Sequence, residues 1–365
     1  MNNVNVTFIV IGLGSGGIEN YLLRFLNEYY QNFDSIYIYC KGGKGGQLEN
    51  EYLLIPNLKI IKSEIGYLDY KGLKKLKNFY YKEKINVVCD FTGNFSGLTL
   101  FTAKRVGIKK RVAFYRSSTD RFKNDVFRDI YNKSMNLLVR KFATDILSNS
   151  KTALNNYFSG VWTSDNRFEV IYNGVNAESF TLQKDDLRDE LNIPKDAFVI
   201  GHTGRFNPAK NHLAIVNVAE ILTKKYNDIY FIMCGNGVKE NLHNEVKNRG
   251  LLDRIFLFEN RRDIPRFLNT MDCYFFPSVT EGQPNALIEA MIMGLPYVAS
   301  NINPIKETVL DDRNLYDPND IQSFSKSLEH IYKKRSGRDL KLQQQAIKRF
   351  DSKKLFKFFY NRLAN

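Results

Sequence analysis

Short runs rich in β-branched and aromatic residues alternate along this chain with amphipathic stretches of helical period. This alternation constrains the fold more than any other feature, because strands that are each followed by a helix build parallel sheets with helices on both faces. We predict strands over residues 6–11, 36–40, 58–61, 87–91, 112–114, 145–148 and 168–171, and then over 198–203, 229–234, 255–258, 273–276 and 297–299. The sequence therefore predicts an α/β protein with two doubly wound halves.

The length also supports two domains, since single hydrophobic cores stop growing at about 250–300 residues and this chain has 365. A polar, charged stretch over residues 176–196 separates the two runs of strands, and we interpret it as a linker. We expect one Rossmann-like domain over residues 1–180 and a second over 181–351. Ligands of such domains bind at the carboxyl ends of the strands, so the loops that follow strands are where site residues are expected.

The chain is basic, with a net charge of +14 from 53 lysines and arginines against 39 acidic residues. This balance suits an anionic partner such as nucleic acid, anionic lipid or a phosphorylated small molecule. Basic residues concentrate over 71–84, 104–123 and 333–362, and in the first of these ranges aromatic side chains are interleaved with six lysines. A solvated helix face and a membrane-surface helix both fit that pattern.

No stretch of the chain approaches the roughly 18 uninterrupted apolar residues of a membrane span, and its start lacks the pattern of a signal peptide. We therefore expect a cytoplasmic protein. Cys40, Cys89, Cys234 and Cys273 are scattered, without a C-x-x-C pair. We expect them to be reduced core thiols that hold no metal.

A glycine-rich loop follows the first predicted strand. Gly12, Gly14 and Gly17 satisfy G-x-G-x-x-G, the spacing of dinucleotide-binding turns. That function also requires an acid at the end of the second strand to hold a ribose, and the residue there is Lys41. An NAD(P) site, a plain tight turn and a loop that brings a ligand close to a helix N-terminus all stay open, and we favour the last.

The loop after the strand predicted over 198–203 carries two cations. Arg205 follows Gly204 directly, and Lys210 comes five residues later, just before a predicted helix. Two cations on one loop can neutralise a diphosphate, because arginine forks two oxygens and lysine adds a point charge. Two solvated side chains are the alternative, so this loop alone is a weak indication.

Two carboxylates follow the strand predicted over 273–276. Glu281 lies in the loop, Pro284 suits the first turn of the next helix, and Glu289 comes about two turns further on. The two carboxylates can serve different parts of one extended ligand, while the amides of the helix start can meet phosphate. Unrelated acids on a surface helix are the alternative.

The segment from Glu281 to Glu289 resembles the E-x7-E pattern of the GT-B glycosyltransferases, in the E-G-x-P-x-x-x-x-E-A form of the large retaining family 4. Gly204-Arg205 with Lys210 is similar to the G-R…K element of that family. Further matches follow the order of the family: residues 14–19 resemble its glycine loop, 172–176 its interdomain N-G element, 233–237 its x-G-x-G turn and 258–264 its base-contacting loop. The resemblance implies two Rossmann-like domains that face each other across a cleft, with the last helix, 352–365, packing back on the first domain.

The resemblance also implies a role for each matching residue. Arg205 and Lys210 would stabilise the leaving nucleoside diphosphate and Glu281 would hold the donor sugar, so these three are the expected catalytic residues, and no metal is required. Glu289 would hold the ribose. The other donor-binding residues that the resemblance implies are Asn173, Gly204, Gly235, Phe258, Gly282, Gln283, Pro284, Asn285, Ala286 and Leu287, the amides of the last two facing phosphate. Acceptor binding would fall to the glycine loop, with Gly14, Gly16 and Gly17, and to Tyr115 and Arg116.

The first half departs from the family at one point. Relatives often carry histidine at the end of a strand near the reacting carbon, and the matching stretch here reads Tyr115-Arg116-Ser117-Ser118. Either Arg116 engages an anionic acceptor or the two serines bind acceptor hydroxyls, and both alternatives stay open. A glycine expected before the base-contacting loop is also missing, since Glu259 follows Phe258.

We therefore expect a retaining glycosyltransferase that moves a hexose or N-acetylhexosamine from a nucleoside diphosphate sugar, with UDP-sugars favoured, to a glycan acceptor. The basic, aromatic-bearing surface suits a polyprenyl-diphosphate-linked acceptor at the anionic inner face of a membrane, in surface polysaccharide biosynthesis. We expect no nucleic-acid partner, no cofactor and no metal. Two other functions stay open: an NAD(P)-dependent oxidoreductase that uses the loop from Gly12 to Gly17, and an inactive module that binds sugar nucleotides.

Overall fold

The chain forms two α/β units, and the computed structural model describes residues 4–14, 16–116, 126–181 and 185–364. One unit comprises Met1–Gly174 together with Lys353–Asn365, and the other comprises Val175–Ser352. We call them the N-terminal and the C-terminal unit. In both, strands and helices alternate along the chain and every paired strand is parallel to its neighbour within the described residues.

The sheet of the N-terminal unit has seven strands in the order β3-β2-β1-β4-β5-β6-β7. They are β1 (Asn5–Val10), β2 (Ser35–Cys40), β3 (Leu58–Lys62), β4 (Val87–Asp90), β5 (Lys110–Tyr115), β6 (Asp145–Ser148) and β7 (Phe168–Val170). The central strands are buried along almost their whole length, because helices cover both faces of the sheet. The strand order reverses between β1 and β4, which opens a crevice beside their carboxyl ends.

Six described helices lie between β1 and β7 of this unit, and side chains cap the start of two of them. They are α1 (Gly17–Tyr29), α2 (Glu49–Leu53), α3 (Tyr70–Lys82), α4 (Gly97–Arg105), α5 (Val126–Phe142) and α6 (Lys151–Phe158), with 3-10 turns at Tyr30–Asn32 and Gly93–Ser96. Asp69 caps α3 by accepting the Gly72 N–H at 2.9 Å, and Ser150 caps α6 by accepting the Ala153 N–H at 3.1 Å. Such caps satisfy amides that have no partner inside the helix.

The C-terminal unit repeats this architecture with six strands in the order β10-β9-β8-β11-β12-β13. The strands are β8 (Phe198–Thr203), β9 (Ile229–Cys234), β10 (Ile255–Phe258), β11 (Cys273–Phe276), β12 (Tyr297–Ser300) and β13 (Leu315–Tyr316). The helices are α7 (Glu178–Thr181), α8 (His212–Lys225), α9 (Val238–Asn248), α10 (Ile264–Thr270), α11 (Asn285–Ile292), α12 (Asn303–Thr308), α13 (Ile321–Lys334) and α14 (Leu340–Arg349), with a 3-10 turn at Pro208–Lys210. Here the order reverses between β8 and β11.

The stretch that we interpreted as a linker packs on the C-terminal unit where the structure describes it. Leu187 is fully buried, and its N–H donates to the Thr270 hydroxyl at 2.9 Å. Arg188 forms an ion pair with Asp272 at 2.8 Å. The linker interpretation is therefore wrong over residues 185–196. The many charged residues of this stretch predicted a solvated segment, although they surround a buried leucine.

The last helix, α15 (Ser352–Ala364), contributes to the core of the N-terminal unit. Phe356, Phe359 and Leu363 are buried, and the Phe359 ring lies 4.6 Å from Phe25 and 5.2 Å from Phe114. Arg362 pairs with the buried Asp145 at 3.2 Å. Residues of α15 are therefore part of the hydrophobic core of the N-terminal unit.

Candidate functional site

Two loops leave the C-terminal sheet side by side, because β8 and β11 are neighbours at the point where the strand order reverses. The loop after β8 carries Gly204, Arg205 and Lys210, and the loop after β11 carries Glu281. The Val279 N–H donates to the Ala209 carbonyl at 2.8 Å and ties the loops together. The structure thus brings two separately predicted motifs to the place where doubly wound sheets bind ligands.

Lys210 and Glu281 are in direct contact. The Lys210 Nζ lies 2.6 Å from Glu281 Oε1, and the two side chains keep only 17% and 10% of their surface exposed. The ammonium also lies 4.8 Å from the centre of the Phe276 ring. Arg205, by contrast, is exposed, and no ion pair joins it to the Lys210–Glu281 pair within the described chain. The two members of such a charge pair can separate when a ligand binds. The lysine can then bind an anionic group of the ligand, and the glutamate can accept hydrogen bonds from its hydroxyls.

The Gly204–Arg205 backbone is fixed by the turn that follows β9. The Gly204 N–H donates to the Cys234 carbonyl at 2.9 Å, and the Phe206 N–H donates to Asn236 at 2.8 Å. A Cβ atom on Gly235 would collide with the Gly204 carbonyl and lie 2.8 Å from the Arg205 nitrogen. Gly235 is therefore required by the close approach of two backbones, and its contact with a donor stays a prediction.

Two histidines hold the loop that carries Gly204 and Arg205 in place. His202 is fully buried, and its Nδ1–H donates to the Phe275 carbonyl at 3.0 Å. His212, the first residue of α8, donates from Nε2 to the Gly204 carbonyl at 3.3 Å. Burial lowers the pKa of His202 far below its usual value and that of His212 to about 4. Both rings are therefore neutral at pH 7, so they hold the loop without adding charge beside Lys210.

Helix α11 places Glu289 about one turn inside the helix from the Glu281 loop. Burial raises the pKa of the Tyr274 hydroxyl, and the charges of Glu289 and Glu281 raise it further. Both carboxylates are thus close enough to Tyr274 to affect its pKa. Pro284 is the N-cap and not, as we predicted, a residue of the first turn. Its carbonyl accepts the N–H of Leu287 at 3.1 Å. The Leu287 amide is therefore engaged inside the protein, so the phosphate contact that we predicted for it requires this bond to open.

The remaining predicted donor residues divide between this site and other places. Gly282, Gln283, Asn285 and Ala286 lie in the Glu281 loop or the first turn of α11, with Gln283 buried. Asn173 is buried in the N-terminal unit. The contacts of these residues with a donor stay predictions.

Glu259 occupies the position where the family resemblance leads us to expect glycine. Its carboxylate accepts the Gly237 N–H at 2.6 Å and the Glu240 N–H at 3.0 Å, so it caps α9 from the end of β10. These amides hold the pKa of Glu259 below its usual value. The positive end of α9 is therefore already neutralised by a carboxylate. Phe258 packs edge-on against Phe267 at 5.0 Å.

The N-terminal unit has its own cavity, of about 450 Å³, beside the crevice between β1 and β4. We call it the N-terminal cavity. Its lining comes from the residues that follow five strands, among them Ile11, Gly42, Ile65, Thr92 and Arg116. Side chains from α1, α5 and α6 complete it, namely Glu19, Tyr131, Asn132 and Tyr157. Its volume lies within the range of about 300–1,000 Å³ that is usual for small-molecule sites.

A buried pair of charges shapes one wall of the N-terminal cavity. Asp90, fully buried at the end of β4, accepts the Thr92 N–H at 2.7 Å and the Thr92 hydroxyl at 2.6 Å. Lys41 is almost buried and donates to the Phe95 carbonyl at 2.7 Å. Burial lowers the pKa of Lys41, while the charge of Asp90 opposes that shift. The two residues thus fix the 3-10 turn that carries Phe95.

Of the predicted acceptor residues, two line this cavity and the three glycines do not. Tyr115 and Arg116 line it, although the Tyr115 hydroxyl donates to Asn136 Oδ1 at 2.8 Å. Gly14, Gly16 and Gly17 are next to it in the chain, but they do not line it, since the lining passes from Ile11 to Ile18 and Glu19. Gly16 is the N-cap of α1, and Gly17 is its first residue. Ser117 and Ser118, the alternative acceptor residues, lie outside the described residues.

The glycine loop is engaged inside the N-terminal unit. The Leu13 N–H donates to the Gly45 carbonyl at 3.2 Å, and the Leu48 N–H donates to Leu13 at 3.0 Å. Gly46 packs so closely on the Leu13–Gly14 peptide that a Cβ atom there would collide with it. The loop after β2 therefore lies over the turn where a dinucleotide pyrophosphate would need to approach, and Lys41 stands where an acid should bind ribose.

Sequence reasoning missed most of the N-terminal cavity. Tyr67, Phe95 and Tyr131 come from three separate segments, and no local pattern joins them. One indication was available, since Glu64 and Gly66-Tyr67 directly follow a predicted strand, where ligand residues of such folds are found. His202 and His212, which flank the loop in sequence, were predicted as polar supports, whereas Glu259 was missed because the backbone amides that it binds lie 19 and 22 residues earlier in the chain.

None of the described helices is long and apolar enough to cross a bilayer. Across the described residues, no group of three or more His, Cys, Asp or Glu side chains is arranged to hold a metal ion. Cys40, Cys89, Cys234 and Cys273 are all buried free thiols, as predicted for core cysteines.

Comparison with known proteins identifies the class that this fold and site define. The model of Glycosyl transferases group 1 matches residues 183–349, and that of Glycosyltransferase Family 4 matches residues 15–179. HepE of Anabaena, solved in complex with UDP, has a TM-score of 0.80 over 99% of this chain and 100% of its own, at 19% identity, which shows a common fold. The chain therefore belongs to the GT-B glycosyltransferases, and the predicted fold class and family are confirmed.

Two curated relatives are similar over most of the chain. The UDP-Gal:α-D-GlcNAc-diphosphoundecaprenol α-1,3-galactosyltransferase of Escherichia coli is 28% identical over 76% of this chain and 73% of its own length. The capsular polysaccharide biosynthesis glycosyltransferase CapH of Staphylococcus aureus is 27% identical over 83% of both chains. Membership of this family supports glycosyl transfer over the oxidoreductase function that the glycine spacing left open.

Proposed function

We propose that this chain transfers a hexosyl or N-acetylhexosaminyl group from a UDP-sugar to a lipid-linked glycan during surface polysaccharide biosynthesis. The observation that carries the proposal is the contact between Lys210 and Glu281, which unites the two charged loops where the strand order reverses. Two relatives support the choice of substrates, since the Escherichia coli enzyme is named for a UDP-sugar and a diphosphoundecaprenol acceptor and CapH for capsular polysaccharide.

In the proposed reaction the bond between the anomeric carbon and the β-phosphate oxygen breaks, and its electron pair stays on that oxygen. The acceptor hydroxyl oxygen bonds to the anomeric carbon, and its proton passes to the released nucleoside diphosphate. Arg205 and Lys210 stabilise the charge that develops on the diphosphate, as fixed cations do without a metal. Glu281, released from Lys210, accepts hydrogen bonds from the sugar hydroxyls, and Glu289 accepts those of the ribose. Retention of anomeric configuration is part of the proposal.

A membrane-surface location fits the acceptor. Helix α3 exposes Lys71, Lys74, Lys75 and Lys77 together with Tyr81, and Tyr70 at its start is also exposed. A helix with lysines and aromatic rings on its open face binds anionic headgroups through charge and through its rings. We propose peripheral attachment at the cytoplasmic face, where a polyprenyl-diphosphate acceptor would be presented.

The test is release of nucleoside diphosphate from UDP-, GDP- and ADP-sugars by the full-length protein, first without and then with lipid-linked acceptor. We expect UDP release that EDTA leaves unchanged, and an α-linked product by NMR when the donor is α-linked. Lys210→Ala and Glu281→Gln should each lower the rate about 100-fold or more, because each removes a group that stabilises the transition state.

The matched control is the pair of Lys224 and Glu220 on α8, which has the same separation of 2.6 Å but keeps 72% and 30% of its side-chain surface exposed. Lys224→Ala and Glu220→Gln should leave the rate within about twofold, since exposed pairs contribute little. Failure of the protein to bind or cleave any of the three donor classes would overturn the proposal. Equal losses in both pairs would show that the Lys210 effect is structural.

A further inference from the structure

The N-terminal cavity is close to electrically neutral. Four of the described residues that line it are charged: Glu19 and Glu64 are acidic, and Lys41 and Arg116 are basic. A diphosphate is bound by an excess of cations and helix-start amides. Two carboxylates in the same cavity oppose such a ligand, so the net basic charge of the protein does not extend into this cavity.

Arg116 is held in place against aromatic rings, and only part of its hydrogen-bonding capacity is used. Its guanidinium carbon lies 3.8 Å from the centre of the Tyr21 ring and 5.1 Å from that of Phe114. Its Nε and Nη1 are buried and meet no acceptor among the described residues. Burial lowers the pKa of Arg116 to about 10, and the nearby Glu19 carboxylate partly opposes this shift. Buried donors of this kind are normally satisfied, so a ligand oxygen is expected there.

A hydroxyl group matches this environment better than an anion does. It accepts a hydrogen bond from the Arg116 N–H groups and at the same time donates its proton to a carboxylate such as Glu19. A phosphate or a uronate carboxylate satisfies the arginine but leaves the acids facing a like charge. Donors and acceptors that line the same cavity therefore favour a ligand with several hydroxyls.

Three aromatic rings stand together at the same cavity. The Tyr67 ring centre lies 5.6 Å from Phe95 and 5.4 Å from Tyr131, and the last two are 6.2 Å apart. Tyr67 remains 61% exposed although it belongs to this cluster. The carbonyl of Phe95 is fixed by the buried Lys41 amine. Rigid aromatic faces beside a few fixed polar groups are the usual composition of a site for a small, partly apolar ligand.

We propose that the N-terminal cavity binds a neutral sugar ring of the acceptor, with Arg116 donating to its hydroxyls and Tyr67 covering its apolar face. The proposal rests on the proposed function, and it assigns the diphosphate of a lipid-linked acceptor to a place outside this cavity. The carboxylates of Glu19 and Glu64 thus select neutral over acidic acceptor sugars, and Arg116 binds the hydroxyls of the sugar that enters. Lys41 is a positioning residue, because it acts through the turn that carries Phe95.

The test is saturation-transfer NMR and titration of the full-length protein, kept saturated with UDP, against single sugars. N-acetyl-D-glucosamine, D-galactose and D-glucose are the neutral probes, and D-glucuronate and inorganic pyrophosphate are the anionic ones. We expect at least one neutral sugar to bind more tightly than both anions. Arg116→Met and Tyr67→Ala should each weaken it about tenfold, a change that corresponds to about 1.4 kcal/mol.

Two variants outside the cavity serve as matched controls. Tyr81 on α3 is 58% exposed, close to the exposure of Tyr67, and Arg105 is an exposed arginine at the end of α4. Tyr81→Ala and Arg105→Met should leave sugar affinity within about twofold, as surface substitutions usually do. Circular dichroism of all four variants separates a lost contact from a lost fold.

Three results would overturn the inference. These are no binding of any neutral sugar, sugar binding that Arg116→Met and Tyr67→Ala leave unchanged, and pyrophosphate binding that depends on Arg116. The affinity for UDP in the same samples separates this failure from failure of the proposed function. If UDP binds and the neutral sugars do not, only the sugar site is lost, whereas absence of UDP binding removes the proposed function itself.

Discussion

At the scale of single residues, the loop that carries Arg205 and Lys210 is held by two histidines that carry no charge. His212 is neutral because burial holds its pKa at about 4, below the ordinary value of 6.5. The unfolded chain therefore binds a proton between these pH values that the folded chain does not bind. Stability contributed by His212 is fully present above pH 6.5 and is lost as the pH falls from 6.5 towards 4.

We accordingly expect the free energy of unfolding to fall by an amount on the order of 3 kcal/mol across this window through His212 alone. His212→Gln removes the titrating group and keeps an N–H for the Gly204 carbonyl, so its stability should depend less steeply on pH. Guanidinium titrations followed by circular dichroism at several pH values measure the slope. His243→Gln, an exposed histidine on α9, is the control and should match the unmodified protein. Identical slopes for all three proteins would contradict the assignment.

Single residues also show where sequence reasoning reaches its limit. Glu281, Glu289 and Lys210 could be predicted because their spacing along the chain reflects one strand, one loop and one helix. The requirement for Gly235 is different, since it arises from a backbone approach to Gly204, thirty-one positions earlier in the chain. The pairing of Arg116 with the Tyr21 ring likewise depends on the tertiary fold. Local patterns predicted the two charged loops after β8 and β11, and long-range packing determined what supports them.

At the scale of elements, strands were predicted better than short helices. The predicted ranges for β8 to β11 coincide with the observed strands, because each is a β-branched or aromatic run bounded by polar residues. Helices α2, α7 and α12 and the two-residue β13 were not predicted, since four to six residues are too few to show a helical period. Helix α14 was missed for another reason, as its many lysines and glutamines hide the buried Leu342 and Ala346.

Helix α3 is the element whose function can be tested by itself. Its exposed lysines and tyrosines should bind the protein to vesicles that contain anionic lipid, and salt should weaken this binding. Each lysine near a charged surface contributes about 1 kcal/mol, so Lys74→Glu with Lys75→Glu should lower the partition coefficient by more than tenfold. Co-sedimentation with vesicles of phosphatidylcholine and phosphatidylserine measures this.

The control for α3 makes the same change of charge on a different helix. Lys341 and Lys348 are exposed on α14, in the C-terminal unit. Lys341→Glu with Lys348→Glu should weaken vesicle binding far less than the α3 double variant. If both pairs have equal effects, net charge rather than α3 drives the attachment, and α3 is then only a solvated helix face.

At the scale of the whole molecule, the two units can be observed separately because the single tryptophan, Trp162, belongs to the N-terminal unit. The core of that unit includes Phe359 of α15, whose ring is fully buried against Phe25 and Phe114. Phe359→Ala should therefore lower the stability reported by Trp162 fluorescence by about 3–5 kcal/mol, through lost burial and a cavity. Lys210 and Glu281, the proposed donor residues, belong to the C-terminal unit.

The neighbouring Phe358 provides the matched control, since it lies on the same helix but is 52% exposed. Phe358→Ala should shift the Trp162 transition by less than about 0.5 kcal/mol, as expected for an exposed position. In the absence of denaturant, both variants should bind UDP with nearly the affinity of the unmodified protein, because Arg205 and Lys210, the proposed diphosphate ligands, belong to the other unit. A Trp162 transition that is insensitive to Phe359→Ala would mean that the N-terminal core closes without its last helix. Loss of UDP binding in a still-folded Phe359→Ala protein would mean that α15 also supports the donor site.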